Sequence, residues 1–307
     1  MQTVLVTLIT LVAFAANSVL CRWALMDQTI DPLSFSVIRI LSGAFTLLIL
    51  LSIASQNSNN TAKLSPTSLF SKLKSQFSLV SVVSLIVYMF GFSFAYLELG
   101  AGLGALVLFV AVQFTMIAAH LISGNKMSLI EWAGCLLSVS GLVYLLMPTS
   151  STSSTSSTSS PDLVSIALMS IAGIGWGIYT LAGKRSSNAL LSTTANFGFC
   201  SLIVLVFISP WLVVPNSALD ISMSEQGFIY AVLSGSVASG VGYSLWYYVV
   251  KKLNTVVASI AQLSVPVIAT LGGVLLLSEP VTMQFVISST IILVGISLVL
   301  VAPKLKQ

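Results

Sequence analysis

Arg39 is a cation six residues into an apolar stretch that begins at Leu33, and Asn17, Gln113 and Gln262 are amides inside other such stretches. Groups like these are expensive in apolar surroundings and turn toward one another or toward a guest. In a helix rising 1.5 Å per residue, Arg39 lies about 9 Å along its stretch. There its guanidinium can clamp a carboxylate bidentately, which Lys does poorly. The alternative is a structural ion pair with Asp31, Asp27 or Glu98, with Arg22 an anchor at the end of its own stretch. Phe109, Gln113, Met116 and His120 recur at helical spacing and share a face. Gln113 needs a partner, either another helix or a small solute. Histidine is the side chain whose unperturbed pKa lies near neutrality, so His120 is a candidate for proton coupling or gating, against a structural, hydrogen-bonded histidine. Asn17 is matched in the second half by Trp176, Tyr179 and Thr180, although Trp176 can also face lipid. Tyr243, Trp246 and Tyr247 share another face. Tyr243 and Trp246 are candidates for solute binding, whereas Tyr247 and Tyr248 read as an interfacial aromatic belt. Ser259, Gln262 and Pro266 line one further face. Pro266 removes a backbone hydrogen bond, freeing the Gln262 carbonyl and giving either a hinge or a tolerated kink.

The elements that must hold these residues follow from composition. Of 307 residues, 7% are charged and 56% are hydrophobic, and mean hydropathy is +1.04. A chain this poor in charge cannot cover a globular surface, so its solvent is lipid and a soluble enzyme is excluded. One His and three cysteines, Cys21, Cys135 and Cys200, all in apolar stretches, provide no metal cage, and no cofactor is expected. No acidic residue sits in mid-stretch, and no phosphate-binding loop or HExxH motif occurs, so ATP-driven transport and most membrane enzymes lose support.

Stretches of about 20 apolar residues suffice to cross a bilayer as helices. Ten occur, at 4–22, 33–53, 77–97, 101–122, 128–147, 163–183, 190–214, 227–250, 255–277 and 283–302. The first lacks a basic leader and reads as a retained span. When loops are assigned alternately to two sides, Lys63, Lys72, Lys74, Lys126, Lys184, Arg185, Lys251, Lys252, Lys304 and Lys306 fall on the side of the N-terminus. Asp27, Asp31, Glu98, Asp162, Asp220, Glu225 and Glu279 fall on the other. Both termini are therefore expected in the cytoplasm. The net charge of +4 reflects this orientation, and no nucleic-acid partner is implied. The sequon at Asn59 lies on the cytoplasmic side and is discounted.

The tract from Ser150 to Ser160 has nothing to bury and reads as a solvated linker, 150–162, between two halves, 1–149 and 163–307. An offset of 154 places Leu99 on Leu253, Ser128 on Thr282 and Gly141 on Gly295. Five spans is an odd number, so equivalent spans run in opposite directions. The expected fold is an all-α integral membrane protein with ten transmembrane helices as two inverted-topology five-helix repeats. Such halves can rock about a central cavity, and glycines at 100, 102 and 104 and at 235, 240 and 242 permit close approach.

Leu245–Thr282 (LWYYVVKKLNTVVASIAQLSVPVIATLGGVLLLSEPVT), Gly100–Met116 (GAGLGALVLFVAVQFTM) and FAANSVLCRWAL from Phe14 resemble the EamA family of the drug/metabolite transporter superfamily. The family carries a Glu after both the fourth and ninth spans. Here Glu279 fits, whereas the first half reads Gly124-Asn125-Lys126. The resemblance implies a bacterial inner-membrane carrier, often an exporter, of amino acids, related metabolites or small drugs, working without ATP. The other class to weigh is a membrane receptor or scaffold that binds a small ligand without moving it. Expected partners are a small-molecule substrate and membrane lipid.

Overall fold

The computed structural model describes residues 2–56, 66–124, 126–147, 162–213, 222–253, 258, 261, 262 and 264–301. The helices are α1 (Gln2–Met26), α2 (Pro32–Gln56), α3 (Pro66–Ser75), α4 (Leu79–Ala95), α5 (Ala101–Ile122), α6 (Leu129–Leu146), α7 (Leu163–Lys184), α8 (Ala189–Val213), α9 (Glu225–Val250), α10 (Ser264–Leu277) and α11 (Met283–Val301). Among the described residues the nearest approach to a strand is one antiparallel bridge between Ile30 and Met223.

Each expected stretch contains helix, but they are unequal. Helices α1, α2, α5, α7, α8 and α9 are long and apolar enough to cross a membrane. Helix α4 joins them if counted with α3, from which it bends by 87°. Over the described residues α6, α10 and α11 are shorter apolar helices. Helix α3 falls where a loop is expected, and it packs on α8. Residues 150–161 of the linker, with Asn59, Lys63, Asn125, Asp220, Ser259, Lys304 and Lys306, lie outside the described residues.

Helix starts follow local chemistry. The side chains of Ser78, Ser128, Asp162 and Ser224 each accept the backbone N–H three residues on, and Glu131 completes a capping box at Ser128. Hydrogen bonds to the Asp162 carboxylate from the Ser165 backbone and hydroxyl hold its pKa below the usual value. Helix α9 has a π-helical centre, Ser234–Val241, between two α-helical arms.

Packing interleaves the halves. Helix α1 packs on α9 and α10, α7 on α4 and α5, α2 on α8 and α9, and α6 on α11. A main core runs through α1, α2, α4, α5, α7, α8 and α9, and a smaller one, with Leu106, Val110, Leu145, Ile292 and Ile296, joins α5, α6 and α11. All three cysteines are buried and free.

Candidate functional site

Arg39 is fully buried on α2. Its Nε donates to Ser239 Oγ at 2.9 Å, and its Nη2 donates to the hydroxyls of Tyr88 at 3.0 Å and Tyr243 at 2.6 Å. The guanidinium rests over the rings of Phe92 and Tyr88, 4.8 and 5.2 Å from their centroids. Among the described residues no carboxylate pairs with it, and Nη1 is buried without a hydrogen-bond partner. Three hydroxyls and two ring faces offset part of the cost of burying a cation but leave its charge uncancelled.

Asn17 reaches the same oxygens from α1, donating through Nδ2 to Tyr88 at 3.2 Å and to Tyr243 at 3.1 Å, while Ser234 donates to its Oδ1. The hydroxyls of Tyr88 and Tyr243 are 2.8 Å apart. Helices α1, α2, α4 and α9 thus meet in one polar knot.

The π-helical turn of α9 positions half of that knot. It carries Ser234 and Ser239 and leads into Tyr243, so three residues spaced four to five apart reach the same place. Glycine lets it come close to α2. A Cβ at Gly43 would lie 2.9 Å from the Gly235 carbonyl oxygen, and one at Gly240 would lie 3.2 Å from that of Gly43. π turns inside helices are frequent at functional sites.

Beside the knot lies an aromatic layer. Trp176 packs 4.6 Å from Tyr243, 5.0 Å from Tyr88 and 5.6 Å from Tyr179, centroid to centroid, and Phe14 packs edge-on against Trp176, Tyr243 and Trp246. Trp176 Nε1 donates to Gln262 Oε1 at 3.3 Å, so Gln262 joins the layer. Tyr179 takes a 3.4 Å hydrogen bond from Asn196 Nδ2. The Trp246 indole nitrogen, the Thr180 hydroxyl and Asn196 Oδ1 are buried without hydrogen-bond partners.

Several sequence expectations are corrected here. Arg39 makes no ion pair with Asp31, Asp27 or Glu98, and Asp31 Oδ1 instead accepts the Ser34 N–H at the start of α2. Arg22 is no simple anchor. It pairs with Glu279 at 3.3 Å and donates to the carbonyls of Tyr96 and Leu97. Tyr247 leaves the aromatic belt, being buried with its hydroxyl on the Tyr179 carbonyl, whereas Tyr248 is exposed. Trp176 is buried, so it does not face lipid. Gln113 is buried on α5, His120 is exposed in the last turn of that helix, and Pro266 is buried near the start of α10. Where a central cavity is expected, the side chains of the knot and the aromatic layer are buried and in contact. A cavity of about 480 Å³ lies elsewhere, with wholly apolar walls such as Val83, Val87, Phe90 and Phe207.

Against this geometry, the EamA-like transporter family matches residues 1–147 and 163–301. The chain belongs to the EamA-like transporter family. It is therefore a multi-pass membrane transporter of the drug/metabolite transporter superfamily. An uncharacterized protein of Pseudomonas aeruginosa is 36% identical over 99% of this chain and 96% of its own length. An uncharacterized transporter of Clostridium kluyveri is 22% identical over 94% and 89% of the two chains. A solved crystal structure shares the fold at a TM-score of 0.59 with 16% identity, covering 97% of this chain and 98% of its own.

Tyr88, Ser234, Ser239 and Asn196 are the polar residues of this EamA-like site that sequence reading missed. One signal pointed to Tyr88, since the offset of 154 sets it on Gly242, next to Tyr243. Asn196 could have been found from helix starts. Asp31 Oδ1 and Asn188 Oδ1 accept the N–H of Ser34 and Leu191, each three residues on, and registering these caps sets Arg39 on Asn196.

Proposed function

We propose that the chain is a secondary carrier for a small carboxylate-bearing amphipath, an amino acid or a related metabolite, exported across the bacterial inner membrane by alternating access. The observation that carries this reading is Arg39, a buried cation without a carboxylate partner and with Nη1 unbonded, at the seam between the halves. A substrate carboxylate reaching Nη1 supplies the missing charge through strong, charge-assisted hydrogen bonds. To accept it bidentately, Arg39 must yield some of its bonds to Tyr88 and Tyr243, so binding works against the contact that ties α4 to α9. The packed seam then corresponds to a closed state, and the aromatic layer receives the apolar part of the guest.

Two inverted repeats, 1–149 and 163–307, joined by the linker 150–162, supply the rocking element. Exchanging α1 with α7, α2 with α8, α4 with α9, α5 with α10 and α6 with α11 turns the α4–α7 packing into α9–α1, and α5–α7 into α10–α1; all four occur. Residues separated by the repeat offset also meet, for Ser138 donates to the Ile292 carbonyl at 3.3 Å. Loop contacts favour ten crossings. Asp31 bonds to Ser222 and Arg22 to Glu279 on one side, while Gln76 bonds to Ser187 and Ser192, and Lys251 to Ser187, on the other. Every one of these contacts joins residues at the same end of the expected spans.

Counterflow of labelled amino acids in proteoliposomes tests the proposal. Wild type exchanges a labelled carboxylate solute without altering it, and Arg39→Ala abolishes exchange while remaining folded. Binding without exchange would make the chain a receptor, and unimpaired exchange in Arg39→Ala would remove the carboxylate clamp.

A further inference from the structure

Near the N-terminus of α1, the start of α8 and the end of α9 part to leave a cleft of about 720 Å³. Its wall has two characters. Val6, Ala189, Leu190 and Leu245 provide apolar surface, whereas Lys251 and Lys252 provide charge, and among the described residues no acidic one lines it. Both ammonium groups rest on neutral partners. Lys251 Nζ donates to the Ser187 carbonyl at 3.0 Å, and Lys252 donates to the Tyr248 hydroxyl and lies 3.8 Å from its ring centroid. These contacts satisfy hydrogen bonds without cancelling either charge.

The surroundings indicate what fits. Leu5, Leu8, Ile9 and Val12 on α1, beside the cleft residue Val6, are exposed along a helix apolar enough to cross a membrane, so that surface faces acyl chains. Tyr248 is exposed at the end of α9, and a tyrosine so placed marks the level of lipid headgroups. An apolar wall continuous with the lipid phase, topped by two uncancelled cations at headgroup level, matches a molecule with acyl chains and a net negative head. We propose that this cleft binds an anionic phospholipid. A zwitterionic headgroup would bring its own ammonium toward Lys251 and Lys252, so the site selects by charge.

The position links the lipid to the seam. Ser244 and Leu245 line the cleft and lie between Tyr243 and Trp246, both buried in the aromatic layer, on the same helix. A lipid seated here therefore bears on the turn of α9 that supplies Arg39 with its closest hydroxyl.

The test titrates the purified full chain in detergent with phosphatidylglycerol, phosphatidylcholine and inorganic phosphate, reading bound lipid by native mass spectrometry and stability by thermal shift. Phosphatidylglycerol stays bound and raises the melting temperature, while phosphatidylcholine and phosphate do neither. A basic residue near an anionic headgroup strengthens binding about fivefold, so Lys251→Gln/Lys252→Gln weakens phosphatidylglycerol binding roughly 30-fold. Lys72→Gln/Lys74→Gln removes equal charge from α3, outside the cleft, and leaves binding unchanged. Ala189→Trp fills the cleft without changing charge and abolishes the preference. Equal binding of the two lipids, stabilisation by phosphate alone, equal losses in both lysine pairs, or an undiminished preference in Ala189→Trp overturns the proposal.

Discussion

The hydroxyls of Tyr88 on α4 and Tyr243 on α9 lie 2.8 Å apart, and one nitrogen of Arg39 donates to both. Two oxygens side by side facing a guanidinium imitate a carboxylate without its charge. Because the tyrosines sit on different helices, the cation is held by the junction of α4 and α9 and not by either helix alone.

Removing one hydroxyl should be felt by the whole knot. Tyr243→Phe takes an acceptor from both Arg39 and Asn17, and an orphaned buried donor costs about 1–3 kcal/mol. Tyr88→Phe should cost a similar amount, and the double variant less than the sum, since the two hydroxyls bond to each other and either single variant already loses that bond. Thermal unfolding of the four proteins measures the coupling, and strict additivity would show the two hydroxyls acting independently.

Close approach of α2 to α9 gives a second expectation. An added methyl at Gly43 would meet the Phe197 ring at 2.5 Å and the Gly235 carbonyl oxygen at 2.9 Å. Gly43→Ala should therefore destabilise by about 1–3 kcal/mol through overpacking. Gly198 on α8 has nothing within 4 Å of that position. Gly198→Ala should be neutral or stabilising by up to about 1 kcal/mol, from helix propensity alone. A melting-temperature comparison separates the two, and equal effects would mean that α2 and α9 are not in tight contact.

Arg22 and Glu279 form a strut of a different kind. Glu279 pairs with Arg22 and also accepts the Ala101 N–H at 2.8 Å, capping α5, while Arg22 holds the carbonyls that follow α4. Glu279→Ala should cost about 1–2 kcal/mol, since it loses a helix cap as well as an ion pair. Arg22→Lys keeps the charge but not the fork that reaches Glu279 and both carbonyls together, so it should be nearly as unstable as Arg22→Ala. Denaturation midpoints check this, and full rescue by Lys would reduce the strut to simple charge attraction.

What could be read in the sequence reflects how far each cause extends. Lipid acts on every residue of a stretch, so ten apolar stretches were visible and each contains helix. Asn17, Arg39, Trp176, Tyr179, Tyr243, Trp246 and Gln262 stood out as polar or aromatic groups among aliphatic ones, and the knot and its aromatic layer gather all seven. Tyr88 did not stand out, because in a run such as VYMFGF a tyrosine is one aromatic among several. The ion pair weighed for Arg39 does not form, and Asp31 Oδ1 accepts the Ser34 N–H at the start of α2 while Oδ2 is buried without a hydrogen-bond partner. Ser234 and Ser239 gave no signal, since serines within helices commonly bond their own turn, and no residue type marks a π turn.

That turn carries the last expectation. In an α-helix each residue advances the face by about 100°, so removing one residue from 234–241 rotates Tyr243 away from Ser234 by that angle. Val237 is 56% exposed within the turn, which makes it the position least missed by packing. Deleting Val237 should leave a folded, membrane-inserted protein with α9 regularised, yet Arg39 would lose Ser239, Tyr243 or both. Helical content and monodispersity should be near wild type while counterflow of a carboxylate solute falls to the level of Arg39→Ala. Normal counterflow after the deletion would show that α9 serves the site without its wide turn, and the positioning role assigned to Ser234–Val241 would have to be abandoned.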